Sequence, residues 1–262
     1  MSQKVNGPQG PVSVNDFSSR QCIEDYKLPS LGLAYTDSKG AALFKDGTIQ
    51  VSAMTVAEEK MMVSNAKSST PSKKLCGLID RTCDLKGMKA EDLLVQDVHA
   101  LLFKIRSISY GNIYQFDYTC PACSAESKNG IDLDTHPLTY AEGDFEDEVE
   151  INLPMSKSKI KARRFRLRDE AGSKSKDAGS MMFDMLARAI LEIDGNPPAT
   201  VFAAEAWLNH LLVRDRAALT KAINEGDNFG LKSTTEITCP SCGHVQEEVS
   251  IPFGVEFFRV EE

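Results

Sequence analysis

Four cysteines in two matched local units carry the clearest chemistry in this sequence: Thr119-Cys120-Pro121-Ala122-Cys123 and Thr238-Cys239-Pro240-Ser241-Cys242. A C-x-x-C knuckle doubles the chain back so that both thiolates face one ion. Two such knuckles supply a tetrahedral shell of four thiolates with Zn–S distances of about 2.3 Å. Because 115 residues lie between Cys123 and Cys239, against roughly 15–20 between the pairs of a compact local site, the expected site joins two distant parts of the chain. Zinc is the expected ion; an iron–sulfur cluster would use the same four thiolates and is the less favoured cofactor. A redox dithiol wants a helix N-terminus after its first cysteine to lower the thiol pKa, and a strand-like pattern over residues 245–251 follows the second knuckle instead. His136 and His244 are close in sequence, but four cysteines already complete a shell. Cys76 and Cys83 lack the i, i+3 or i, i+4 spacing of a helical ligand pair, and with Cys22 they are expected to be free thiols.

The elements that must position the knuckles are strands. Residues 114–118, with Tyr114, Phe116 and Tyr118 alternating, lead into the first knuckle, and residues 234–238 lead into the second. Upstream, residues 31–35 and 42–54 suggest a hairpin-like opening, with Asp46-Gly47 as a turn. Thr55 and Glu58 fit a capping box that opens a helix running to about Ser64. Residues 67–74 read as a polar break, and residues 75–83 as a short helix. Leu94, Val98, Leu101, Leu102, Ile105 and Ile108 share one face of a core helix over residues 90–108, ended by Tyr110-Gly111-Asn112. His99 lies among those apolar positions as a structural histidine. In the second half, residues 149–153 and 159–168 read as two strands with opposite charges facing across them. Residues 181–193 form an amphipathic helix with a methionine stripe, residues 202–213 and 215–224 form two more, and Trp207 is a packing anchor.

Parts of this pattern recur. Residues 47–59, a strand running into an acidic helix start, can be laid over residues 158–170. Leu28-Pro29 and Leu153-Pro154 precede these segments, and a CPxC unit follows each. The expected fold class is therefore α+β. It comprises two diverged hairpin-plus-helices modules, each ending in a CPxC zinc knuckle, joined by a shared zinc-ribbon-like site of four cysteines. The expected boundaries are a flexible N-terminal arm at 1–24, a first module at 25–140 and a second at 141–262.

The chain has 262 residues, 42% of them hydrophobic, and a formal net charge of -8, which argues against whole-molecule attraction to nucleic acid or an anionic bilayer. The alternative reading is a zinc-ribbon nucleic-acid binder using the basic run Lys159, Lys161, Arg163, Arg164, Arg166 and Arg168. No run of about 18 apolar residues suggests a membrane span. There is no phosphate-binding Gly-rich loop, G-x-S-x-G elbow or H-E-x-x-H helix, so no enzyme activity and no small-molecule substrate are expected.

The ordered set of Leu28-Pro29, Ile49-Gln50-Val51, Met54-Thr55-Val56-Ala57-Glu58-Glu59-Lys60, Tyr110-Gly111, the two knuckles and Phe257-Phe258 resembles the baseplate hub proteins of T-even-type contractile-tailed bacteriophages. The resemblance runs from about residue 28 onward. It implies a structural or assembly role at the baseplate hub, with other hub, spike or tape-measure proteins as partners. The implied location is the virion tail baseplate, or the host cytoplasm during tail assembly. It implies no catalytic residues, and Cys120, Cys123, Cys239 and Cys242 as a structural site.

Overall fold

A computed structural model describes residue 17 and residues 20–64, 70–143, 145–173, 177–224, 229–252 and 255–258. Most of the expected arm, the start of the expected polar break at 67–69 and the Lys/Ser-rich stretch around 174–176 lie outside the described residues. The elements are β1 (Ile23–Lys27), β2 (Thr48–Ser52), α1 (Val56–Val63), α2 (Pro71–Thr82), α3 (Val95–Tyr110), β3 (Ile113–Thr119), β4 (Glu126–Asp132) and β5 (Leu138–Thr139). They continue as β6 (Glu148–Asn152), β7 (Lys159–Arg163), α4 (Leu167–Ala171), α5 (Ala178–Ala189), β8 (Ile190–Ile193), α6 (Val201–Asn209), α7 (Val213–Asn224), β9 (Gly230–Leu231), β10 (Thr234–Thr238) and β11 (Val245–Ser250). The fold is α+β. Antiparallel pairs β1-β2, β3-β4, β5-β9 and β10-β11 accompany a three-stranded sheet in the order β6-β7-β8.

Two hydrophobic clusters organise these elements. The first gathers Leu28, Ile49, Val51, Met62, Leu78, Leu101 and Ile105 with the inward residues of β3, and it also takes in Ile237, Ile251, Phe257 and Phe258 from the far end of the chain. The second holds Leu153, Ile160, Phe165, Leu186, Ile190, Leu208, Leu219 and Ile223. The chain thus builds one core, leaves it to build the other, and returns with β10 and β11.

Several boundaries differ from those read in the sequence. The opening hairpin pairs Ile23–Lys27 with Thr48–Ser52, and residues 31–34 are turn rather than strand. The turn is enforced by close packing: a Cβ on Gly47, which has φ +70°, would lie 2.4 Å from the Leu31 carbonyl carbon. Helix α2 starts at Pro71 rather than after Lys74, because Thr70 accepts the Lys73 N–H and proline suits the first helical position. Helix α3 starts at Val95, with Leu94 extended before it. In the second half, β7 stops at Arg163 and Leu167 opens a helix. The expected helix over 181–193 ends at Ala189, and Ile190–Ile193 becomes a strand paired with β7, where β-branched isoleucines suit a sheet.

The capping box forms as expected. Glu58 accepts the Thr55 N–H at 2.8 Å and the Thr55 hydroxyl at 2.6 Å. It also takes both ends of the Arg20 guanidinium at 2.9 and 3.0 Å. Asp169 holds the same position in the second half, accepting the Arg166 N–H at 2.9 Å and a bidentate Arg163 at 2.7 and 2.8 Å.

Candidate metal centre

Each knuckle is the turn of an antiparallel hairpin, and the two turns have the same backbone. In the first, the Cys120 N–H donates to the Ala125 carbonyl at 2.9 Å and the Ser124 N–H to the Cys120 carbonyl at 2.8 Å. In the second, Cys239 donates to His244 at 2.8 Å and Gly243 to Cys239 at 2.9 Å. Ser124 and Gly243 occupy the same left-handed position, with φ of 57° and 74°. Thr119 pairs with Glu126, and Thr238 with Val245, at equivalent places beside the turns. Buried Tyr114, Phe116 and Tyr118 anchor β3 in the first core, and Ile237 and Ile251 anchor the second hairpin in that same core.

Shared anchoring brings Cys120, Cys123, Cys239 and Cys242 together, with all four Sγ atoms within 4.8 Å of one another. The Cys120–Cys242 distance is 3.8 Å and the Cys123–Cys239 distance is 3.7 Å. Four sulfurs held at about 2.3 Å from a tetrahedral ion lie about 3.8 Å apart, so the donor set fits zinc in both chemistry and spacing. Cys120 and Cys239 are buried, whereas Cys123 and Cys242 are exposed. The N–H groups of Cys242 and Ser241 pull the Cys239 thiol down to about 7. At Cys123 the Ala125 N–H favours the thiolate, but the neighbouring thiols, Cys242 first, outweigh it and push the group up to about 12. A bound cation would displace these protons.

The other residues singled out in the sequence lie elsewhere. Burial pushes the Cys76 and Cys83 thiols up to about 12; these are packing groups, and Cys22 is exposed. His136 pairs with the Lys232 carbonyl at 2.6 Å, and the His244 side chain is exposed. Burial pulls His99 down to about 4, so it is neutral. The basic run is consumed internally. Lys159 and Lys161 pair with Glu150 and Glu148 at 2.7 Å, Arg166 with Asp147 and Arg168 with Asp92, and Arg164 donates to the Glu146 and Ile223 carbonyls. Among the described residues no helix is long and apolar enough to cross a membrane.

One repeated motif lies hidden within the helical periods. Leu93-Leu94-Val95-Gln96-Asp97 recurs as Leu211-Leu212-Val213-Arg214-Asp215, and α3 and α7 open at the same valine of each. Both aspartates are buried and hold the loop after a Leu-Pro pair. Asp97 accepts the Ser30 N–H at 2.9 Å and its hydroxyl at 2.6 Å, together with the Tyr35 hydroxyl. Asp215 accepts the Met155 and Ser156 N–H groups at 2.7 and 2.8 Å.

No curated protein and no solved structure is detectably similar to the chain. The family model described as T4 bacteriophage base plate protein matches residues 36–259, a span that includes the second core, most of the first and all four clustered cysteines, and the chain belongs to that family.

Proposed function

We propose that this protein is a structural or assembly component of a contractile bacteriophage tail, acting at the baseplate hub, and that one zinc ion held by Cys120, Cys123, Cys239 and Cys242 clasps its two halves. The observation that carries the reading is the meeting of four Sγ atoms from two hairpins within 4.8 Å, in a chain of the base plate family. Zinc would act as a tetrahedral link without redox chemistry. It would fix the far end of the chain against the first core, closing a long loop whose entropy otherwise favours opening.

In this reading residues 25–140 and 141–262 are two diverged copies of one module. The recurrence supports it: Leu-Pro loop, strand, carboxylate-capped helix, Leu-Leu-Val-x-Asp helix start and CPxC hairpin follow in the same order in each half. The partners are other hub, spike or tape-measure proteins of the tail, and no reaction is assigned. The engagement of all six cations of the basic run removes the motive for a nucleic-acid role.

Infection with a phage carrying a stop codon early in this gene tests the role. The expected result is a block in baseplate or tail completion, visible by electron microscopy of lysates. Normal tails of normal infectivity would overturn it.

A further inference from the structure

The two halves of the chain meet at a seam made from two helix starts. Val95 and Leu167 are the first residues of α3 and α4, and N–H groups in a first helical turn have no intrahelical acceptor. Each is satisfied across the seam: Val95 donates to the Phe165 carbonyl at 3.2 Å, and Leu167 to the Leu93 carbonyl at 3.0 Å. Leu94 and Arg166 form the antiparallel bridge between them. The packing is reciprocal as well, since Leu167 lies in the first core and Val95 packs on the second.

Each half carries both parts of this seam, so among the described residues one part of each kind is left without a partner segment. Leu211-Leu212-Val213 stands where Leu93-Leu94-Val95 stands, with Val213 opening α7. Met54-Thr55-Val56 stands where Phe165-Arg166-Leu167 stands, with Val56 opening α1. Met54 and Leu211 pack on their own cores, and the residues beyond them are exposed. Leu94 and Leu167 are 0% and 1% exposed, whereas their counterparts Leu212 and Val56 are 52% and 62% exposed, and Val213 is 73% exposed.

We infer that copies of this chain join head to tail, with residues 211–213 of one copy pairing against residues 54–56 of the next. The Val213 N–H then donates to the Met54 carbonyl and the Val56 N–H to the Leu211 carbonyl. Val213 packs on the neighbour's first core and Val56 on the donor's second. The occupant is a second copy because the surface that fits a Leu-Leu-Val helix start is the strand-to-helix corner of this same fold, and the interface continues the seam already inside the chain. Such a contact uses different patches on its two sides, so it closes into a ring if the rotation permits and otherwise extends as a filament. The inference rests on the recurrence of the module and on the internal seam; it needs neither the metal nor the tail role.

Sedimentation velocity on the full-length protein, from micromolar to near-millimolar concentration, tests it with two exposed-site variants, Val56→Glu and Val213→Glu, whose folding is checked by circular dichroism. The wild type is expected to associate with rising concentration and each variant alone to stay monomeric. An equimolar mixture of the two variants keeps one intact seam, so it forms dimers and nothing larger. A wild type that is monomeric throughout, variants that associate like the wild type, or a mixture that stays monomeric would each overturn the inference.

Discussion

The Tyr118 hydroxyl on the first cysteine hairpin donates to the Gln246 side-chain carbonyl on the second at 2.9 Å, tying the two hairpins together beside the cysteines but without using them. This bond crosses between the two hairpins independently of the cysteine sulfurs. Tyr118→Phe should therefore destabilise the metal-free protein by about 0.5–1.5 kcal/mol, the net worth of an ordinary hydrogen bond. It should also weaken zinc binding several-fold, because less of the site is prearranged. Urea unfolding with and without a chelator, followed by competition with a zinc indicator, measures both. An unchanged zinc affinity would mean that the metal organises the hairpins unaided.

Asp97 and Asp215 give a paired test of the recurring loop latch. Asp97→Ala leaves the Ser30 N–H, the Ser30 hydroxyl and the Tyr35 hydroxyl without their acceptor at a fully buried site. Each orphaned group costs about 1–3 kcal/mol, so the variant should lose several kcal/mol and unfold at much lower denaturant. Asp215→Ala strands the N–H groups of Met155 and Ser156 and the Ser156 hydroxyl, but beside exposed Met155 and Ser156 side chains where water can reach, and should cost less. Chemical denaturation midpoints rank the two; the reverse order would contradict the latch.

Acid sensitivity follows from Glu58. Burial alone would raise its pKa, but the Arg20 guanidinium and the Thr55 hydroxyl and N–H outweigh that and lower it from 4.5 to about 2. A carboxylate depressed in the folded state contributes stability that is fully present above pH 4.5 and is lost as pH falls towards 2. The melting temperature of wild type should thus exceed that of Glu58→Gln at neutral pH, and the gap should shrink through this window. A gap independent of pH would show that the Arg20–Glu58 charge pair contributes nothing.

Arg163→Ala should act on stability rather than on nucleic acid. It removes the bidentate partner of Asp169, whose side chain is 1% exposed, and breaking a buried pair from one side costs about 3–5 kcal/mol. Fluorescence anisotropy with labelled DNA and RNA should show no salt-sensitive binding in wild type or variant. Tight binding at low salt that weakens in the variant would restore the basic run as an interface.

Much of the site was legible in the residues themselves. The knuckles sit in short hairpins whose turn chemistry is local, and the Thr55–Glu58 box is likewise decided within four residues. What local pattern could not decide were positions set by distant partners. Ile190–Ile193 continues the helical period of α5 yet is drawn out as a strand because β7 offers an unpaired edge. Leu93 and Leu94 look like the first turn of α3 because they extend its apolar face; they are extended because Phe165, Arg166 and Leu167 bind them there. The same absorption into a helical period hid the Leu-Leu-Val-x-Asp repeat, although comparing residues 93–97 with 211–215 directly exposes it. The packing of β10, β11, Phe257 and Phe258 on the first core has no local signature.

Everything proposed for the metal depends on Cys120, Cys123, Cys239 and Cys242 closing one zinc site across the two hairpins. The decisive measurement is elemental analysis by mass spectrometry of protein purified without added metal or chelator, alongside Cys120→Ser and Cys239→Ser. One zinc per wild-type chain is expected, with loss of that zinc in both variants, one on each hairpin. Wild-type protein that carries no stoichiometric metal, or either variant retaining a full equivalent, would contradict the shared site.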